Sequence, residues 1–189
     1  MMKDVTAVIL CGGMSTRMRT PKHKLFLKYI LPQLQDFGNI VLSVRDETQI
    51  TGCDLPLWPD CVKDCGPLGG ILTALRMSDT QHVFILPCDV PNITRSFIVK
   101  LFGNLMEGDT CLIPVFCGNI QPLIGVYHVS LAKSIENSLT GGVRSVKSFL
   151  DSQNVHYVHF GSDWAKVFSN INTKEAYKDW LNDFEDINV

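Results

Sequence analysis

Three strand-length apolar runs, VTAVIL (5–10), NIVLSV (39–44) and HVFILP (82–87), constrain this chain more than any other feature. Each is an apolar run rich in β-branched residues, without the polar alternation of a half-exposed strand, which suits a strand covered on both faces. The intervening segments change to helical period. In LGGILTALRM (68–77), Ile71, Leu72, Leu75 and Arg76 fall on helical spacing. In TRSFIVKLFGNLM (94–106), Thr94 is placed to cap a helix whose apolar stripe is Phe97, Ile98, Leu101, Phe102 and Leu105. Alternation of buried strands with amphipathic helices predicts an α/β chain: a three-layer sandwich around a mostly parallel, Rossmann-like sheet.

The second half continues the pattern. TCLIPV (110–115) and NIQPLIGVYHV (119–129) read as strands, and VRSVKSFLDS (143–152) returns to helical spacing. Near the C-terminus, Asn172 and Glu175 form a capping-box pattern, followed by Ala176, Tyr177, Trp180, Leu181 and Phe184 on one helix face. Pro32 should interrupt any helix that begins soon after Lys24. With no repeat, low-complexity tract or linker, residues 1–189 read as one domain.

Bulk properties narrow the function classes. A net charge of −2 leaves no global basic footprint, so nucleic acid is not an expected partner and any anion must be held locally. No apolar run is long enough to span a bilayer, and no secretory segment opens the sequence, which predicts a soluble cytoplasmic protein. The seven cysteines are then expected to be free thiols, including Cys61 and Cys65, which no second cysteine or histidine pair accompanies at zinc-site spacing. His156 and His159 read as ordinary strand residues.

In a parallel sheet, ligands gather beyond the carboxyl ends of the strands. Three loops stand there. The first, ILCGGMSTRMRTPKHK (9–24), sets Gly12 and Gly13 before a run of cations. Adjacent glycines let backbone N–H groups approach a ligand, and the cations suit a polyanion such as a triphosphate; alternatively the glycines only turn the chain. It matches neither G-x-x-x-x-G-K-[ST] nor G-x-G-x-x-G. The second, LPCDVP (86–91), puts Asp89 just past a buried strand between stiffening prolines, where a carboxylate can hold Mg²⁺ or merely cap a turn. The third, WPDCVKDCGPLGG (58–70), contributes Asp60 and a Gly-Pro turn into a helix whose N-terminus could receive an anion.

Taken together, LCGGMSTRM with Lys24, DCGPLGG, PCDVP, QPLIGVY and NINT (170–173) resemble the molybdenum cofactor guanylyltransferase family, part of the wider nucleotidyltransferase group. The resemblance covers nearly the whole chain. It implies a single nucleotidyltransferase domain that transfers GMP from GTP to the terminal phosphate of molybdopterin or its molybdenum-loaded form, releasing pyrophosphate. It further implies that Leu10, Cys11 and Gly12 supply backbone contacts to the nucleotide and that Gly13 keeps the loop open. Arg17 and Lys24 would hold the triphosphate, Asp60 would bind base or ribose, and Asp89 would ligate Mg²⁺, with Mn²⁺ as a substitute. Arg17, Lys24 and Asp89 are thus the expected catalytic set.

Several positions depart from the family pattern. Ser43 stands where an asparagine usually touches the nucleotide, Cys11 replaces alanine, Arg19 replaces glycine, His23 replaces an acidic residue, and the segment after Lys24 is shortened. The expected partners are GTP and molybdopterin, with room for transient contacts to cofactor-biosynthesis proteins or molybdoenzymes. Alternatives are a related nucleotidyltransferase using CTP or a sugar phosphate, and a non-catalytic nucleotide-binding accessory protein.

Overall fold

The computed structural model describes residues 2–12 and 22–187, with side chains through Asp183. The three founding runs form β1 (Val5–Leu10), β2 (Asn39–Val44) and, after the short β3 (Leu57–Pro59), β4 (His82–Pro87). Then follow β5 (Cys111–Phe116), β6 (Asn119–Ile120), β7 (Gly125–His128) and β8 (His156–Phe160). The helices are α1 (Lys22–Ile30), α2 (Gly66–Met77), α3 (Arg95–Phe102), α4 (Ala132–Thr140), α5 (Val146–Leu150) and α6 (Lys174–Ile187).

All strands among the described residues join one eight-stranded sheet in the order β3-β2-β1-β4-β7-β5-β6, with β8 beside β5. Pairs β3–β2, β2–β1, β1–β4 and β5–β8 are parallel, whereas β7 runs antiparallel between β4 and β5. The four parallel strands that carry the candidate loops therefore point their carboxyl ends to one edge. Strand alternation fills two cores. Ala7, Ile9, Leu42, Phe84 and Leu86 pack with Phe26, Ile30, Phe97, Leu101 and Trp180 of α1, α3 and α6. Val8, Val41, Val83 and Ile85 face Leu68, Ile71, Leu72, Ile135, Leu139 and Phe149 of α2, α4 and α5. This is the expected three-layer arrangement around a mostly parallel central sheet.

Three local expectations are refined. The run 119–129 is not one strand: Gln121–Ile124 turn between β6 and β7, with Ile124 N donating to the Gln121 carbonyl at 3.0 Å. Pro32 sits in a 3₁₀ turn, Leu31–Leu34, that ends α1. At α6 the cap is Thr173, whose hydroxyl accepts from Ala176 N at 3.1 Å, not Asn172. Thr94 does cap α3, accepting from Phe97 N at 3.3 Å. All seven cysteines are free thiols. Among the described residues no helix is long and apolar enough to cross a membrane.

Candidate functional site

A cavity of about 550 Å³ opens beyond the carboxyl ends of β1 to β4. Its lining includes Leu10 at the end of β1 and Gly12 just after it, Ser43 and Arg45 around the end of β2, Asp60 after β3, and Asp89 after β4. Lys22 closes it from α1, Gly66, Pro67 and Gly70 from α2, and Gln121–Ile124 and Asn170 from the far side.

Backbone connections fix the floor. Cys11 N donates to the Ser43 carbonyl at 2.8 Å, Cys88 N to the Leu10 carbonyl at 3.2 Å, and Asp60 N to the Val44 carbonyl at 2.8 Å. Cys61 N, next to Asp60, donates to the Thr73 hydroxyl of α2 at 2.9 Å. The GPLGG sequence is explained by two of its glycines. Gly66 adopts φ of +58°, a conformation that disfavours any side chain. A Cβ on Gly70 would lie 3.2 Å from both Leu10 Cδ2 and Ser43 Oγ, so glycine lets α2 approach the ends of β1 and β2.

The two ends of the cavity differ chemically. At one end, Ser43 Oγ donates to Asp60 Oδ1 at 3.4 Å. Burial pushes the Asp60 carboxyl above its ordinary pKa, against the opposing pull of the Ser43 hydroxyl and the Arg45 charge. A Cβ placed on Gly12 would lie 3.7 Å from Asp60 Oδ2, so the bare glycine keeps a gap before that carboxylate. At the other end, Lys22 Nζ donates to Asp89 Oδ2 at 2.8 Å and to Asn172 Oδ1 at 2.5 Å. Ile171 N donates to the Asp89 carbonyl at 3.0 Å, so the NINT segment is tied to the β4 loop through both backbone and side chain.

The structure sorts the expected site residues. Leu10, Gly12, Asp60 and Asp89 line the cavity together. Cys11 does not: its N–H is spent on Ser43, its carbonyl accepts from Gln49, and its thiol is buried in the core. Contact with the Cys88 thiol and burial push the Cys11 thiol well above its ordinary pKa. Gly13 and Arg17 lie outside the described residues, as does Arg19. Lys24 is exposed on α1 and is not among the lining residues, whereas Lys22 is. The reason is helix geometry: two residues are about 200° of rotation, so Lys22 and Lys24 face opposite sides. Between them His23 is buried, and burial, with the Lys24 charge, pushes its imidazole pKa down.

Lys22 of the cavity lining, Asn172 bound to it and Gln49 bound to the Cys11 carbonyl were not among the expected site residues. A cation at the first position of a helix was visible, but its orientation was not. Asn172 carried a misleading signal, since its spacing to Glu175 suggested a cap. His156 pairs with Asp109 at 2.7 Å, and neither residue lines the cavity.

Among the described residues no three His, Cys, Asp or Glu side chains gather as a closed metal site. The donor set suits Mg²⁺ bound jointly by protein and phosphate: a hard carboxylate, Asp89, at a cavity open to a polyanion. The described lining holds carboxylates Asp60, Asp64 and Asp89 against cations Lys22 and Arg45, so a bound triphosphate calls for added positive charge there.

Molybdenum cofactor guanylyltransferase of Syntrophotalea carbinolica is 33% identical, over 95% of this chain and 91% of its own length. A Bacillus cytotoxicus protein named "Probable molybdenum cofactor guanylyltransferase" is 31% identical, over 95% and 98%. The crystal structure of molybdopterin-guanine dinucleotide biosynthesis protein A from Archaeoglobus fulgidus superposes with a TM-score of 0.78 at 23% identity, covering 92% of this chain and 95% of that one. With residues 7–158 matching the family model and its relatives aligned almost end to end, this chain belongs to the MobA-like NTP transferase domain family.

Proposed function

We propose that this enzyme transfers the GMP unit of GTP to the terminal phosphate of molybdopterin, free or molybdenum-loaded, and releases pyrophosphate. The observation that carries this reading is the two-ended cavity. A half-buried carboxylate, Asp60, and a buried hydroxyl, Ser43, lie at one end, and a Lys22–Asp89–Asn172 cluster lies at the other. The first offers hydrogen-bond partners to a base or ribose. The second offers charge to phosphates.

The chemistry is a displacement at the α-phosphorus: an oxygen of the acceptor phosphate forms the new P–O bond as the bond to the β-phosphate oxygen breaks. The attacking oxygen is already anionic, so no general base is needed, and positioning and charge neutralisation carry the rate. Lys22 sets its ammonium charge beside the phosphates as negative charge builds on the leaving pyrophosphate. Asp89 and Asn172 fix Lys22 in a partly buried place, where its side chain is 17% exposed, so little reorganisation is required. Asp89 would also hold Mg²⁺, with Mn²⁺ as a substitute, supplying charge neutralisation between protein and phosphates. Leu10 and Gly12 border the nucleotide, while Gln121–Ile124 and Asn170 form the wall left for the acceptor.

GTP and molybdopterin are therefore the expected small-molecule partners, with transient contacts to cofactor-biosynthesis proteins or recipient molybdoenzymes. Seven unpaired thiols support a reducing cytoplasm. The test is pyrophosphate release with ATP, CTP, GTP or UTP, molybdopterin and Mg²⁺, with the dinucleotide product identified by mass. GTP should be used fastest. Faster turnover with CTP would assign a cytidylyl donor, and no release with any nucleotide would leave a binding protein.

A further inference from the structure

Where the β1–β2 ladder ends, a side chain takes the place of backbone. The parallel register runs to Leu10 opposite Ser43, and Cys11 N adds one more rung to the Ser43 carbonyl. In a parallel ladder the next bond would run from Arg45 N to the Cys11 carbonyl. Instead Arg45 N donates to Gln49 Oε1 at 2.8 Å, and Gln49 Nε2 donates to the Cys11 carbonyl at 2.5 Å. The Gln49 carboxamide, one acceptor and one donor side by side, is spliced between the two strands.

Its aim is set locally. Gln49 closes a 3₁₀ turn, Glu47–Gln49, capped by Asp46, whose Oδ1 accepts from Thr48 N at 3.0 Å. Gln49 N also donates to the Asp46 carbonyl at 3.2 Å. Both backbone groups stay satisfied, yet the strands are held apart by the width of an amide. The gap so opened is bordered by Gly12, Arg45 and Asp60, all in the cavity lining. A Cβ on Gly12 would sit 3.8 Å from Arg45 N and 3.7 Å from Asp60 Oδ2.

We propose that Gln49 is a positioning residue for the nucleotide: its spliced carboxamide sets the spacing between the loops after β1 and β2, and so the fit of GTP between Gly12 and Asp60. The proposal rests on the reading of this cavity as a GTP site. Gln49 touches neither phosphate chemistry nor the Lys22–Asp89 cluster in this account, so its effect falls on binding shared by ground and transition states.

The test compares Gln49→Ala with Gln49→Glu. Alanine should let Arg45 N bond the Cys11 carbonyl directly and so narrow the gap. Glutamate keeps size but loses the donor, setting a carboxylate oxygen against the Cys11 carbonyl. Both variants should raise the Kd of GTP, measured by titration calorimetry, and its KM about tenfold, while kcat stays within about twofold. Because alanine leaves a direct rung, its melting temperature should stay within about 2 °C of the parent. The role is refuted if alanine binds GTP as the parent does. It is equally refuted if alanine lowers the melting temperature by about 5 °C or more with unchanged affinity, the mark of a structural staple. The parent separates this inference from its premise: a parent that does not bind GTP refutes the reading of the site, whereas equal binding by parent and variants refutes the role of Gln49 alone.

Discussion

Replacing Lys22 by alanine, beside the same change at Lys24, tests the assignment of the phosphate-binding cation. Lys22 Nζ is 2.8 Å from Asp89 Oδ2 and the paired side chains are only 17% and 19% exposed, so the interaction is little screened by water. Losing a charge-assisted hydrogen bond of this kind costs about 1.5–3 kcal/mol of stability, and in a chain of this size each kcal/mol lowers the melting temperature by about 2–4 °C. Lys22→Ala should therefore melt roughly 3–12 °C below the parent yet remain folded at 25 °C. Turnover should suffer more, because a charge aimed at the developing negative charge is lost: kcat falls about a hundredfold or more. Lys24→Ala, on the exposed face of α1, should keep kcat within about twofold and melt with the parent. The assay is initial-rate pyrophosphate release with GTP, molybdopterin and Mg²⁺, alongside thermal melts. Near-parent turnover by Lys22→Ala, with a severe loss in Lys24→Ala, would refute the argument from helix geometry.

Asp89→Asn keeps shape but removes the charge expected to attract Mg²⁺; the rate should need higher Mg²⁺ or Mn²⁺, and an unchanged magnesium titration at full activity would exclude the metal role. Asp60→Asn should weaken GTP binding about tenfold or more, as expected for a lost charged hydrogen bond. Its stability should move the other way: a carboxyl whose folded pKa lies above its unfolded value holds its proton longer when folded, so parent stability declines as pH rises from the unfolded pKa through the folded one. Asp60→Asn should then melt above the parent at neutral pH, with the gap closing in acid below both pKa values; a variant melting lower at pH 7 would contradict the burial penalty. Asn172→Ala should lower kcat about three- to tenfold by loosening Lys22, and add little further loss in a Lys22→Ala background; fully additive losses would show that Asn172 acts independently.

The fold was legible because its determinants are local and repeated. Strands buried on both faces need continuous apolar runs, and VTAVIL, NIVLSV and HVFILP became β1, β2 and β4 with those bounds. Thr94 capped α3 because a hydroxyl before an amphipathic helix has few other uses. The antiparallel insertion of β7 between β4 and β5 was not legible, since an apolar run is compatible with either direction and only long-range pairing decides it. The break at Gln121–Ile124 was hidden for a related reason: Pro122 in an extended run signals an edge or a turn equally well.

The site was legible as a set of loops and much less so as a set of directions. Asp60, Asp89 and Gly12 meet because each follows a parallel strand, a consequence of topology that sequence order implies. Lys22 and Lys24 share one loop in the sequence, yet only the phase of α1 decides which enters the cavity. Asn172 shows the same limit from the other side. Capping and ligand-holding both use a short polar side chain before a helix, and here Thr173 takes the cap one residue later, leaving Asn172 for Lys22. The partners Lys22 and Asn172 are 150 residues apart, and Ile171 N on the Asp89 carbonyl brings the segment carrying Asn172 onto the β4 loop. Preorganising one cation thus takes β4, the start of α1 and the approach to α6 at once. Such a dependence cannot be read from any single motif, because no window of the sequence contains more than one of its members.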